Sequence, residues 1–298
     1  MTVDLRNLPA YFSSNADFQA WVAGIHAQLL AVGLVNTADT GQINPATVLA
    51  PASWNTIQGY EIWRFNDALQ STAPVFIKVE YGGNGAQGAT GIGMFVTVGT
   101  ATNGAGTLTG TVGVRRNLFY SGGSSTTPGM VLASYCCSDG SGLVLVNGYD
   151  STSLACVLVW VMDRTRDGAG TATGDGLYTF ANSTASAQVF LQVIPVGGTV
   201  PGGYSPSTST GWALSPTTWF NNNAAPAVVG GNVPIMPVMY ICGKTYFTKM
   251  MHTVQASQVS QSVSISASIL GGTHTLMPLV MFEAPTIVAG DMACMLWE

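Results

Sequence analysis

Val75–Gly88 reads VFIKVEYGGNGAQG, and the fold class turns on what completes this stretch. From Ile77 to Tyr81 apolar and polar side chains alternate, the period of a strand with one buried face. Gly83, Gly85 and Gly88 then fall at the G-x-G-x-x-G spacing of a dinucleotide-binding turn. Such a turn needs a helix behind it, whose first amides and dipole hold the pyrophosphate. It also needs an acidic residue about 20 positions on for the ribose hydroxyl. Neither is there. ATGIGMFVTVGTAT follows with the period of strand, and the next acidic residue after Glu80 is Asp139. The full Walker pattern G-x-x-x-x-G-K-[ST] is absent too. The glycines read as a loop between strands, and no cofactor is expected.

Outward from this strand the text stays β. IGMFVTVGTAT and GTLTGTVGV are joined at Asn103-Gly104, a hairpin signal. MVLASYCC, SGLVLVNGY, LACVLVWVMDR, QVFLQVIPV, VPIMPVMYIC, QSVSISASIL, LMPLVMFE and DMACMLW follow, separated by Gly, Ser, Asn and Pro clusters. About ten short strands predict a mainly β fold, a sandwich or jelly-roll-like body of short antiparallel strands.

One segment breaks the pattern. In SSNADFQAWVAGIHAQLLAVGLV, Ser14 and Asp17 fit a capping box, and Phe18, Trp21, Val22, Ile25 and Leu29 recur at helical spacing. Gly33 suits a left-handed helix stop. Asn36–Ser53 reads as an extended connector. We therefore expect residues 1–70 to form an N-terminal α-helix and extended docking arm. Its stripe of Phe18, Trp21, Val22, Ile25 and Leu29 would bind a partner. Residues 71–298 would form the β-rich body. A shared pattern, A-x-V-F-[IL]-x-V at Ala73 and Ala187, leaves open two β modules with a boundary near 165–185.

Composition narrows the function. Of 298 residues, 8% are charged and 47% hydrophobic, with 36 glycines and a net charge of −5. Ordinary soluble domains carry about 25% charge. From Gly176 to Gly243 there is no Asp, Glu, Lys or Arg. A surface so bare of charge is expected to be covered by other subunits. The longest apolar run, Leu154–Met162, is half the length of a spanning helix, so no membrane insertion is expected. Nine Lys plus Arg, with Arg115-Arg116 as the one adjacent basic pair, argue against nucleic acid as partner. MTVDLRNLPAYF lacks the basic and apolar regions of a signal peptide, which points to synthesis in the cytoplasm. Five cysteines without a C-x-x-C pair read as buried thiols, and no metal site is expected.

Candidate chemistry is sparse. MDRTRDGAGTATGDG holds Asp163, Arg164, Arg166, Asp167 and Asp175; it reads as a solvated loop with local ion pairs, with cation binding left open. His26, His252 and His274 are the only histidines, and no G-x-S-x-G surrounds any serine. No catalytic residues are assigned. The polar loop GGTVPGGYSPSTSTG brings Tyr204, Trp212 and the nearby Trp219 forward as candidate exposed loop contacts, for sugars or another subunit.

Taken whole, YEIWRFNDALQSTAPVFIKVEYGGNGAQG, Tyr60–Gly88, resembles a segment of structural proteins of tailed-bacteriophage virions. The pattern W-R-F-N-D, six residues, then P-V-F-I-K-V-E-Y-G carries the likeness. The resemblance implies a virion structural subunit of the tail, neck or fibre apparatus, assembled in the host cytoplasm. Its partners would be other copies of itself, with a trimer as the expected homo-oligomer, and other virion proteins. A host-surface glycan is a further candidate partner. A capsid decoration or cement protein is the alternative. A tail-associated glycan depolymerase is a weaker one, since it needs clustered carboxylates that the charge-free stretch does not supply.

Overall fold

The computed structural model describes residues 1–53, 56–83, 90–113, 115–118, 128–150, 155–182, 189–195, 235–242, 244–255, 265–269, 272–279 and 291–296. The N-terminal part comprises β1 (Thr2–Pro9), α1 (Asn15–Ala31), β2 (Val35–Asn36), β3 (Ile57–Arg64), a 3-10 turn (Ala68–Ser71), β4 (Phe76–Gly83), β5 (Ile92–Thr102), β6 (Leu108–Val112) and β7 (Arg116–Leu118). Then follow β8 (Val131–Ser138), β9 (Gly142–Asp150), β10 (Ala155–Arg166), β11 (Ala172–Asn182), β12 (Val189–Pro195) and β13 (Ile235–Cys242). The last elements are β14 (Lys244–Gln255), β15 (Ile265–Ile269), β16 (Gly272–Leu279) and β17 (Asp291–Leu296). The chain is mainly β, as its alternation predicts.

Two antiparallel sheets result. The smaller has six strands in the order β2-β3-β4-β5-β6, with β7 also on β5. The larger has eleven, β1-β8-β9-β10-β14-β17-β16-β15, with β11 and β12 continuing from β10 and β13 on β14. β4 and β5 realise the opening stretch and its sequel: Ile77 faces Val98, Val79 faces Val96 and Tyr81 faces Met94. A strand therefore stands where a nucleotide turn would need its helix. The Asn103-Gly104 hairpin closes between β5 and β6. Asn103 donates its amide to Thr107 O at 3.0 Å, and Gly104 adopts φ +77°, which a side chain would resist.

Alternation decides which residues make the core. Trp63, Ile77, Val79, Tyr81, Met94, Val96 and Val98 project from the smaller sheet, and Cys136, Leu143, Leu145, Trp160 and Met162 from the larger. α1 joins the same cluster through Phe18, Trp21, Val22, Ile25 and Leu29, all fully buried. Ser14 caps the helix by accepting the Asp17 amide at 3.3 Å. At the other end Gly33 has φ +91°, and Leu34 N bonds back to Leu29 O at 3.0 Å.

This placement corrects the docking arm. The stripe of Phe18, Trp21, Val22, Ile25 and Leu29 is spent inside its own chain and presents nothing to a partner. Trp21 packs edge-on against Tyr81 of β4, ring centroids 5.6 Å apart, and donates its indole N–H to Asn147 of β9 at 3.0 Å. Gln28 donates to Ser134 O of β8 at 3.0 Å and accepts from Ser134 Oγ at 2.7 Å. One helix thus touches both sheets. The connector after β2 is no free arm either: Ile43 N bonds to Tyr60 O at 2.8 Å and Gln42 accepts the Ile62 amide at 2.8 Å, covering the exposed edge of β3. Residues 1–70 belong to the core of the body.

Replacing Trp21 by Ala is expected to cost about 3–5 kcal/mol in denaturant unfolding, since the cavity opens between both sheets. Trp21→Phe, which keeps a ring but leaves Asn147 without its donor, should cost less, about 1–3 kcal/mol.

Candidate functional site

Among the described residues, two centres gather ionisable side chains in buried positions. The first lies where strands change partners along β10. β9 runs beside β10 as far as Gly142 opposite Asp163, and β14 takes over with Phe247 opposite Arg166. At this handover the ladder leaves amides to satisfy, and the Asp163 carboxylate accepts them: Lys249 N at 2.5 Å and Met250 N at 3.1 Å. Arg166 Nη2 donates to Asp163 at 2.8 Å, to Asp139 at 3.0 Å and to Ser141 Oγ at 2.9 Å. Lys249 Nζ reaches Asp139 at 2.9 Å. Two carboxylates and two cations balance.

Burial opposes ionisation of Asp139, but Arg166 and Lys249 outweigh it and hold its pKa at about 2. Burial pushes Asp163 upward and Arg166 only partly offsets this. Beside the quartet, Arg164 is wholly buried and grips Asp67 through Nε at 2.5 Å and Nη2 at 3.0 Å, with Nη1 on Ala73 O at 2.8 Å. It ties the loop after β3 to the larger sheet.

The expected solvated loop from Asp163 to Asp175 is therefore corrected. Asp163, Arg164 and Arg166 are buried on β10, while Asp175 on β11 and the turn before β11 are exposed. There Asp167 accepts the Ala169 and Thr171 amides at 3.0 and 2.9 Å. The Asp163 carboxylate is occupied by protein donors, and among the described residues no group of three His, Cys, Asp or Glu could hold a metal ion. The charges sit at the end of LACVLVWVMDR, and that continuity with an apolar run is the one sequence signal of their burial.

The second centre joins α1 to the smaller sheet. Glu61 of β3, 2% exposed, lies beneath His26 with Nδ1 to Oε1 at 2.5 Å. Its other oxygen accepts Tyr81 OH at 2.5 Å and the Trp63 indole N–H at 3.2 Å. The hydrogen bond to Glu61 raises the His26 pKa above 6.5 against the opposing effect of burial. Burial, then the charge of Glu61, pushes the Tyr81 hydroxyl well up. A carboxylate that orients an imidazole is one half of a nucleophilic arrangement. Among the described residues no hydroxyl or thiol bonds the other ring nitrogen. What the centre does here is lock helix to sheet. Helical periodicity alone placed His26 beside the apolar stripe; Glu61 on a distant strand was not a visible partner.

The remaining expected sites disperse. Tyr204, Trp212 and Trp219, like Gly85 and Gly88, lie outside the described residues. His252 on β14 and His274 on β16 are separated by β17 and offset by several residues in register, so they form no dyad. Lys244, after Gly243, opens β14 opposite Cys242 and leads into strand, not into a phosphate-binding helix. Cys136 and Cys137 are buried thiols, and burial raises Cys137 to about 12, which makes it a poor nucleophile. Among the described residues no helix is long and apolar enough to cross a membrane. Comparison with protein families, with curated proteins and with solved structures found no match to this chain.

Three outcomes test these centres. Arg166→Met leaves Asp163 without a cation and Asp139 with Lys249 alone, and should cost about 3–5 kcal/mol in chemical unfolding. The His26–Glu61 pair contributes fully below pH 6.5, where unfolded histidine is itself protonated, and fades as pH rises through the raised folded value. The wild-type melting temperature should therefore fall relative to that of His26→Gln as pH rises above about 6.5 and through the raised folded value. NMR titration should place the His26 midpoint above 6.5.

Proposed function

We propose that this chain is a structural subunit of a tailed-phage virion, working by assembly in the tail, neck or fibre apparatus. The observation that carries the reading is where the charge goes. Every Asp, Glu, Lys and Arg whose side chain is described has a partner within the chain. Asp4 meets Arg6, Glu61 meets His26, Asp67 meets Arg164, Glu80 meets Arg115, and Asp139 and Asp163 meet Arg166. Lys78 lies over the Tyr60 ring at 4.6 Å, and Asp39 takes the Gly106 amide at 3.1 Å. A chain that is 8% charged, with Glu61, Asp163, Arg164 and Arg166 buried, has few charges left to hydrate its outside. Neighbouring subunits would supply that cover.

The Tyr60–Gly88 resemblance supports the virion setting, and the fold gives its pattern a structural meaning. Trp63, Phe65, Val75, Ile77, Val79 and Tyr81 are all core residues, and Asp67 of W-R-F-N-D receives Arg164. The residues that carry the likeness hold a scaffold together. Host attachment through the loops of the β body would be a second task of the same subunit. A cement protein on the capsid shares the surface logic and differs in copy number.

Quantitative mass spectrometry of purified virions tests the reading. The expected result is this chain in the particle at the low copy number of a tail or neck component. A copy number matching the shell lattice would favour the cement role, and absence from particles would overturn the virion reading.

A further inference from the structure

β1 forms an edge of the larger sheet, and among the described residues its one strand partner is β8. Ala10 N donates to Met130 O at 3.0 Å, in line with the β1–β8 register. Hydrogen-bonded pairs recur every second residue in an antiparallel ladder. Thr2, Asp4, Arg6 and Leu8 therefore direct their amides to β8, and Val3, Leu5 and Asn7 turn theirs to the open edge. Leu5 is 59% exposed and Val131, opposite Pro9 at the strand's end, is 55% exposed. An open edge with large apolar side chains on its outer face is a template for another strand.

We propose that a second copy of this chain occupies this edge, its β1 pairing antiparallel with β1 about a two-fold axis at Leu5. The charges single out that register. With the axis at Leu5, Asp4 of each copy faces Arg6 of the other, in the pairs whose side chains approach closest. Moving the axis to Asp4 or to Arg6 sets like charges directly opposite, which destabilises. Within each copy Arg6 Nε already bonds Asp4 at 2.5 Å. A guanidinium with five N–H donors and a carboxylate with several lone pairs can hold the second partner as well.

Val3, Leu5 and Asn7 of the two copies exchange about six backbone hydrogen bonds. Leu5 covers Leu5 of the second copy, and Pro9, without an N–H, ends the pairing. Such an interface is isologous and closes as a dimer. This deepens the assembly reading by naming a surface and its occupant, with a two-fold dimer in place of the expected trimer.

Sedimentation equilibrium on the full chain tests it. The wild type is expected to dimerise, and Leu5→Pro should raise the dissociation constant about tenfold or more. Its circular dichroism should be unchanged, and its melting temperature should match that of the wild type at concentrations where the wild type is monomeric, because the lost amide faces outward and the side chain is exposed. Leu5→Cys should cross-link to itself as a dimer on mild oxidation, since facing Cα atoms stand about 5.5 Å apart. Asn7→Cys, which faces Val3, should not. Arg6→Asp should weaken the dimer, and Asp4→Arg with Arg6→Asp should restore it. A wild type that stays monomeric at its highest soluble concentration overturns the proposal. So does self-association indifferent to Leu5→Pro, or equal cross-linking at positions 5 and 7. Self-association through another face would leave the virion reading standing, and absence from virions would leave the dimer standing.

Discussion

Both sheets depend on one helix. α1 buries about half of its circumference, and Trp21 at its centre meets Tyr81 of the smaller sheet and Asn147 of the larger. An indole suits this position because its ring supplies apolar area while its N–H demands an acceptor, which Asn147 provides. Gln28 on Ser134 and His26 on Glu61 fasten the helix on either side with directional bonds. Apolar burial brings the layers together, and these three polar anchors fix how α1 is turned between them. The antiparallel sheets carry one face each into a common core, and the helix completes it.

A second constraint follows from the scarcity of charge. Few ionic groups are present, and they stand where backbone amides or strand exchanges need them. Asp163 shows this most clearly: it fills the ladder where β9 gives way to β14 and is itself held by Arg166. Buried charge of this kind is costly unless each member is bonded, so its worth lies in specifying one arrangement of strands. With Asp163, Arg164, Arg166 and Glu61 buried, few charged groups remain for the surface.

Legibility in the sequence followed periodicity. The strands around Val79 and Val96, the hairpin at Asn103-Gly104 and the helix from its Ser14 cap to Gly33 could be read directly, because their signals are local. β1, β11 and β14 were harder: TVDLRNLP, ATGDGLYTFAN and KTYFTKMMHTVQ mix polar residues that local pattern assigns to loop or connector. The charged run at Asp163–Arg166 looked solvated because nothing nearby in sequence marks Asp139 or Lys249 as its partners, and Lys249 lies 86 residues from Asp163. Glu61 was likewise invisible as the partner of His26, 35 residues away.

By itself the sequence determined the mainly β character, the helix from its Ser14 cap to Gly33 and the strand that follows the glycines after Tyr81. Period, caps and turn residues act over a few positions and need no knowledge of the rest. It also determined that the surface would be poor in charge. Only the tertiary structure decided which surface the helical stripe would meet. An apolar stripe records that burial is favourable without recording against what, and here Phe18, Trp21, Val22, Ile25 and Leu29 are taken up by the chain's own two sheets. Among the described strands β1 becomes an edge of the larger sheet because strand order places it outermost, and strand order is set by pairings between residues far apart in the chain.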